Sequence, residues 1–339
     1  MVGGQWTCLE TATTVTGCGC LQAVRRMGTA LWVTTAPSFF QGGLAPVTTP
    51  DREGLRFTHP VWWRTRIDVL RCNNLERGVC MNTDVQPAID WLDWLQRWDA
   101  QQEGYVPERE ARFAAVFDAL AELLPASFVA LDLACGPGSI SQRLLGRFPD
   151  ARAIAADIDP VMLAIGRGAL GTVDGRLRWI EADLASPGWL EALGETQIDA
   201  VLSTTALHWL EPEPLARLYH DLGHLLRPGG LFLNADHMAF GPALPTLARL
   251  SQRVLDEQWT DAAFAARGIE TAEQWWDALA LEPAFAPLLT ERTRRFAGKQ
   301  RQESPPGFDV HVAALLDAGF REVGTIWQVL SNRVLLAVR

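Results

Sequence analysis

Residues 129–141 read Val-Ala-Leu-Asp-Leu-Ala-Cys-Gly-Pro-Gly-Ser-Ile-Ser, which sets one carboxylate, Asp132, just ahead of a glycine-rich turn. An apolar run from Phe128 to Leu133 enters the turn, and a helical pattern leaves it. Glycine at 136 and 138 allows the backbone to approach a ligand closely, and the helix that follows aims its N-terminal N–H groups at the same place. A dinucleotide loop would read G-x-G-x-x-G, with a third glycine packing helix on strand. Here that position is Ser141, and an acid four residues before Gly136 is foreign to the dinucleotide pattern. The turn by itself leaves its ligand open.

Further acids close further apolar runs. Residues 152–160, Arg-Ala-Ile-Ala-Ala-Asp-Ile-Asp-Pro, carry Asp157 at the end of a second strand pattern. Residues 177–184, Leu-Arg-Trp-Ile-Glu-Ala-Asp-Leu, carry Asp183 at the end of a third. A fourth pattern, 198–204, leads into Ser-Thr-Thr-Ala-Leu-His-Trp at 203–209. Arg227-Pro228-Gly229-Gly230 precedes a fifth, Leu231 to Asn234. In this order the motifs resemble those of the class I S-adenosylmethionine-dependent methyltransferases, from about Trp91 to Arg339. The nearest likeness is to the small-molecule families that include the trans-aconitate methyltransferase type.

That resemblance implies the fold: an α/β, Rossmann-like, seven-stranded, mostly parallel sheet with an antiparallel C-terminal hairpin, helices on both faces and a helical lid insertion. It also implies S-adenosyl-L-methionine as cofactor. The methionyl ammonium then needs an acceptor, Asp132 or a loop carbonyl. The methionyl carboxylate needs donors, from the turn's amides or from the N-terminal helices, where Arg112 is chosen over Tyr105 and Arg109. The ribose diol goes to Asp157, which can accept two hydrogen bonds, and the adenine amino group to Asp183. Ala134, Gly136, Gly138, Ile158, Leu184 and Thr204 complete the cofactor set. Ala134 stands where the family often has the first of three glycines; a small side chain serves there if φ is negative. Asp159, followed by Pro160, is expected to cap a helix instead.

Residues 203–209 take the position that faces the transferred methyl in this family. The Asn/Asp-Pro-Pro-Tyr/Phe sequence of nucleobase and glutamine amino-methyltransferases is missing there. His208 is the catalytic candidate: its imidazole can orient a carboxylate substrate or take a proton from a hydroxyl. Trp209, His237 and Trp276 are candidates for substrate contact. No metal is expected. Cys135, inside the glycine loop, has no base expected beside it and is not a nucleophile candidate.

The chain has 339 residues and a formal net charge of −10, which argues against a nucleic-acid groove as its main surface. Its cations are arginines except for Lys299. No run of 18 apolar residues suggests a membrane span, and the methyltransferase likeness suits a cytoplasmic monomer or homodimer. Six cysteines are present, five of them before the glycine loop, and Cys8, Cys18 and Cys20 lack the paired spacing of a zinc knuckle.

Residues 1–83, rich in Thr, Gly, Cys and Arg, have no sustained period and read as a poorly structured or spurious extension, with Met81 a candidate start. Residues 84–237 read as the cofactor domain, opened by two helices at 86–101 and 107–124 that cover the cofactor's mouth. Helices are expected near 139–147, 160–170 and 212–226. Residues 238–308 are a helical lid insertion in which Trp275, Trp276 and Phe296 can line an apolar pocket. Residues 309–339 return to the sheet as a helix and a hairpin turning near Ser331-Asn332. The expected activity is methyl transfer to an oxygen or nitrogen of a small molecule, by in-line attack in a lid-covered pocket. The alternatives are a cofactor-binding relative without turnover and a nicotinamide oxidoreductase, which Ser141 and the Arg-Pro-Gly-Gly segment disfavour.

Overall fold

The computed structural model describes residues 89–106, 108–299 and 306–339. The expectations for residues 1–83 lie outside the described residues. Seven strands form one sheet in the order β3-β2-β1-β4-β5-β7-β6. Strands β1 (Val129–Leu133), β2 (Arg152–Asp157), β3 (Leu177–Glu181), β4 (Ile198–Thr204) and β5 (Leu226–His237) run parallel. Strand β7 (Asn332–Val338) pairs antiparallel with both β5 and β6 (Glu322–Val329). The expected fold is the one observed. Its chain order reverses direction at β1, with β2 on one side and β4 on the other, and open α/β sheets bind ligands at the carboxyl ends of strands beside such a switch.

Alternation along the strands explains the two layers. Leu131, Leu133, Ile154 and Ala156 enter one core with Leu215, Leu218 and Leu222 of α5 (Pro212–Leu225) and Leu315 of α10 (Phe308–Asp317). Ala130, Ala153 and Ala155 enter the other, with Phe113 and Val116 of α2 (Arg109–Leu123) and Ile140 and Leu144 of α3 (Ser139–Arg147). A period of two on a sheet buried on both faces leaves no polar side except where a strand ends. The carboxylates at these ends are therefore exceptions that need partners.

The two leading helices are α1 (Trp91–Tyr105) and α2. After β5 come α6 (Pro245–Gln258), α7 (Asp261–Ala266), α8 (Ala272–Ala280) and α9 (Ala286–Phe296). A third core joins them: Trp94 and Leu95 of α1, Val161, Met162 and Ile165 of α4 (Pro160–Leu170), Trp275 and Leu279 of α8, and Phe285.

Several boundaries differ from the sequence reading: α1 runs Trp91–Tyr105 where a helix at 86–101 is expected, and the start of β5 also moves. Strand β5 begins at Leu226 and runs through Pro228-Gly229-Gly230, where its register against β4 shifts between Ile198 and Ala200. Gly229 adopts φ +77° and its N–H donates to the Arg339 carbonyl. The segment is thus an irregularity inside the strand, since the C-terminal backbone satisfies the amide that a turn would have left to water. The hairpin between β6 and β7 turns at Leu330-Ser331, beside Ser331-Asn332 as expected, with Leu330 at φ +52°.

Candidate active site

The glycine turn joins β1 to α3 at the switch point. Gly136 and Gly138 adopt φ +55° and +86°. A Cβ on Gly138 would lie 2.6 Å from the Trp179 ring, whereas one on Gly136 would meet nothing within 4 Å. Glycine at 138 therefore serves close packing, and the loop at 136 is open in front. Ala134 corrects the sequence reading, which required a negative φ: it sits at +52°. An L-residue there costs roughly 1–2 kcal/mol, so the turn's path is imposed by its surroundings.

Those surroundings also use the turn's amides. Cys135 N–H donates to the Ala156 carbonyl at 3.0 Å, Gly138 N–H to the Cys135 carbonyl at 3.0 Å, and Gly136 N–H to Asp157 Oδ2 at 2.8 Å. These three donors, expected to face a ligand carboxylate, are bonded within the protein. Cys135 is buried, and desolvation followed by the nearby Asp132 and Asp157 pushes its thiol well up, consistent with a packing residue.

Asp132 is 2% exposed. Ser141 Oγ donates to its Oδ2 at 2.7 Å, and its Oδ1 has no partner among the described residues. Burial lifts its pKa to about 7. Ser141, read from sequence only as a missing glycine, is thus the residue that orients the acid. An unpaired buried carboxylate oxygen is costly unless a cationic donor completes it. Asp157 accepts from Gly136 N–H and, on Oδ1, from Asp159 N–H at 2.8 Å; burial lifts it to about 6. Asp159 caps α4 as expected, accepting from Val161 N–H at 3.0 Å.

Asp183 accepts from Ala185 N–H, from Ser186 Oγ and from Lys299 Nζ, the last at 2.6 Å. Burial would raise its pKa, but the bonds from Lys299 and Ser186 outweigh it and the acid is held below the ordinary range. The Ile158 carbonyl accepts from Arg295 of α9 at 3.0 Å, and Leu184 lies in the core beneath. Thr204 ends β4.

Beyond β4, a short 3-10 turn (Leu207–Trp209) presents His208. Its Nδ1 lies 2.7 Å from Asp236 Oδ1, and its backbone N–H donates to Asp236 Oδ2 at 3.0 Å. Asp236 is 1% exposed, and His237 N–H donates to it at 2.8 Å. Burial opposes its charge, yet His208, His237 and Arg112 together hold it far below the ordinary carboxylate range. Sequence reasoning missed Asp236. Its only signal was an acid beside His237 at the end of a strand; the pairing of β4 with β5 is what brings it to His208.

Arg112 is fully buried, donating to Asn332 Oδ1 at 2.8 Å and Thr205 Oγ1 at 2.6 Å, while its Nε has no partner among the described residues. Desolvation lowers it to about 10. Expected to hold a ligand carboxylate, it bonds here to neutral oxygens of the protein, just beyond β4 and at the start of β7. Both His237 ring nitrogens are buried without partners among the described residues; the ring lies edge-on to Trp259 at 5.7 Å, and burial lowers its pKa to about 4. Trp209 is 43% exposed, its ring 4.4 Å from His208. Trp276 packs edge-on to Trp275 and under Arg292, while Trp275 itself is wholly core.

Residues 130–230 match the family described as a methyltransferase domain. A trans-aconitate 2-methyltransferase of Azoarcus sp. strain BH72 is 34% identical over 138 residues, 40% of this chain and 49% of that one. Another, of Methylobacterium radiotolerans, is 37% identical over 108 residues, covering 32% and 37%. The match spans about half the length of these relatives or less. A solved structure of a putative O-methyltransferase from Nostoc punctiforme overlays with a TM-score of 0.45 at 14% identity, covering 77% of this chain and 64% of that one.

Proposed function

We propose, from the premise that residues 130–230 are a class I methyltransferase domain, that this protein transfers a methyl group from S-adenosyl-L-methionine to an oxygen or nitrogen of a small molecule. When bound, that cofactor supplies a methyl group already activated on a sulfonium. The observation that carries the reading is Asp132: a carboxylate buried beside the open glycine loop, with one oxygen unpaired among the described residues. A methionyl ammonium is the donor such an oxygen lacks. Asp157 is the group for the ribose diol, since each of its oxygens accepts one backbone N–H and keeps a lone pair. Asp183, with Ile158 and Leu184 beside it, is the group for the adenine end. Ala134, Gly136 and Gly138 form the cradle; Thr204 and Arg112 bound its methyl-donating side.

The acceptor is assigned to the space in front of His208, Trp209 and His237, with the helices after β5 as its cover and Trp276 a contact within that cover. Positioning and exclusion of water are the main requirements for in-line transfer and can be worth roughly 7–11 kcal/mol. The names of the two curated relatives make trans-aconitate one acceptor to test.

Calorimetry with S-adenosylhomocysteine tests the cofactor assignment. Asp157→Ala is expected to weaken binding more than tenfold with an unchanged circular dichroism spectrum. Unaltered affinity removes the ribose role. NAD binding without S-adenosylhomocysteine binding ends the methyltransferase reading.

A further inference from the structure

We infer that His208, positioned by Asp236, accepts a proton from the methyl acceptor, and that the group methylated is accordingly a hydroxyl and not a carboxylate. This rests on the methyltransferase reading and goes beyond it, because the curated relatives are named for a polycarboxylate.

Geometry comes first. Asp236 holds His208 at two points, its backbone N–H and its Nδ1, so the imidazole cannot turn without breaking a bond to a buried acid. An ionised carboxylate only accepts, so the atom it faces is Nδ1–H, and Nε2 is left as the bare, basic nitrogen. No bond from Nε2 is formed among the described residues, and the side chain is 16% exposed, enough to return a proton to solvent. Among the described residues, the charged or titratable groups around Asp236 are His208, His237, Arg112, Tyr219 and His311. Arg112 of α2 is a buried cation near it, His237 of β5 is a neutral imidazole, and Tyr219 of α5 and His311 of α10 bond one another at 2.6 Å. A permanent anion thus backs His208 and stabilises the imidazolium formed when Nε2 takes a proton.

Chemistry then selects the acceptor. A carboxylate arrives ionised near neutral pH and has no proton to give. An amine that has already shed its proton to water attacks with its lone pair. A hydroxyl is the acceptor that gains most from losing its proton as it attacks, and a positioned base typically contributes about 10²–10⁴ in rate. In the step, the acceptor O–H bond breaks and an O–CH3 bond forms. The proton goes to His208 Nε2, and the pair from the broken C–S bond stays on sulfur, neutralising the sulfonium.

The test begins with nitrogen NMR on the full chain saturated with S-adenosylhomocysteine at pH 8. A protonated Nδ1 and a bare Nε2 on His208 are expected. Asp236→Asn should reverse that tautomer while S-adenosylhomocysteine affinity stays within twofold. Radiolabelled methyl donor is then offered with a panel of small phenols and alcohols and with trans-aconitate. Base-stable ether products are expected, with kcat lowered about a hundredfold or more in His208→Gln and Asp236→Asn and KM little changed. A proton on Nε2 in the wild type overturns the inference, whether or not any panel member reacts. So does methyl-ester formation on trans-aconitate that survives His208→Gln. Loss of S-adenosylhomocysteine binding in the wild type would instead strike the methyltransferase reading.

Discussion

Asp132 carries a cost in the ligand-free protein that can be measured. Its pKa rises from 3.8 to about 7 because burial penalises the charged form. The folded state therefore holds this proton more tightly than the unfolded chain. Its contribution to stability is complete below about pH 4 and is lost as pH climbs toward 7. Asp236 has the opposite sign, since its depressed pKa stabilises above the ordinary carboxylate range and fails in acid. Comparing variants separates the two. Thermal denaturation of Asp132→Asn between pH 4.5 and 7.5 is expected to fall less steeply with pH than the wild type, the difference approaching roughly 1.4 kcal/mol per pH unit. Equal slopes would mean that Asp132 is ionised throughout and already paired.

At the scale of elements, α9 and its exit bind the acid ends of β2 and β3. Arg292 reaches Asp159, Arg295 reaches Glu181 and Lys299 reaches Asp183, each at 2.6 or 2.7 Å. Lys299, the chain's one lysine, thus holds the acid assigned to adenine. In Lys299→Ala that acid loses its ion pair and keeps its bonds from Ala185 and Ser186, and S-adenosylhomocysteine should bind about three- to tenfold more tightly in low salt, as expected for a part-exposed pair worth roughly 1 kcal/mol. The gain should shrink at high ionic strength. Calorimetry at two salt concentrations decides it; weaker binding by the variant would make Lys299 a holder of the ligand.

At the scale of the molecule, the insertion after β5 shares its core with helices that belong to the sheet. Trp275 of α8 is fully buried, edge-on to Trp94 and Trp98 of α1. Removing it opens a cavity between insertion and sheet layer. Trp275→Ala should cost about 3–5 kcal/mol and lower Tm by roughly 10 °C in one cooperative transition. Trp275→Phe should cost far less, because the indole N–H it deletes has no partner among the described residues. Two separate transitions in calorimetry would show that the insertion unfolds independently.

The sequence by itself determined what repeats locally. Apolar runs of strand length, glycines at 136 and 138, and acids at or near the ends of the runs at 132, 157 and 183 marked the sheet and its carboxyl edge. Their information lies within a few residues of each strand, where period and turn chemistry act. Helix bounds at 139–147 and 160–170 were legible for the same reason. Only the tertiary structure decided the pairs. Asp236 meets His208 because β4 and β5 are neighbours, Lys299 meets Asp183 across 116 residues, and Ser141 turns onto Asp132 through the path of the loop. The left-handed Ala134 was hidden too, since an alanine names no conformation until its neighbours impose one. Burial is a property of the assembled layers. The Asp132 oxygen left without a partner among the described residues, and the imidazole of His208 held by a buried acid, exist only once those layers have assembled.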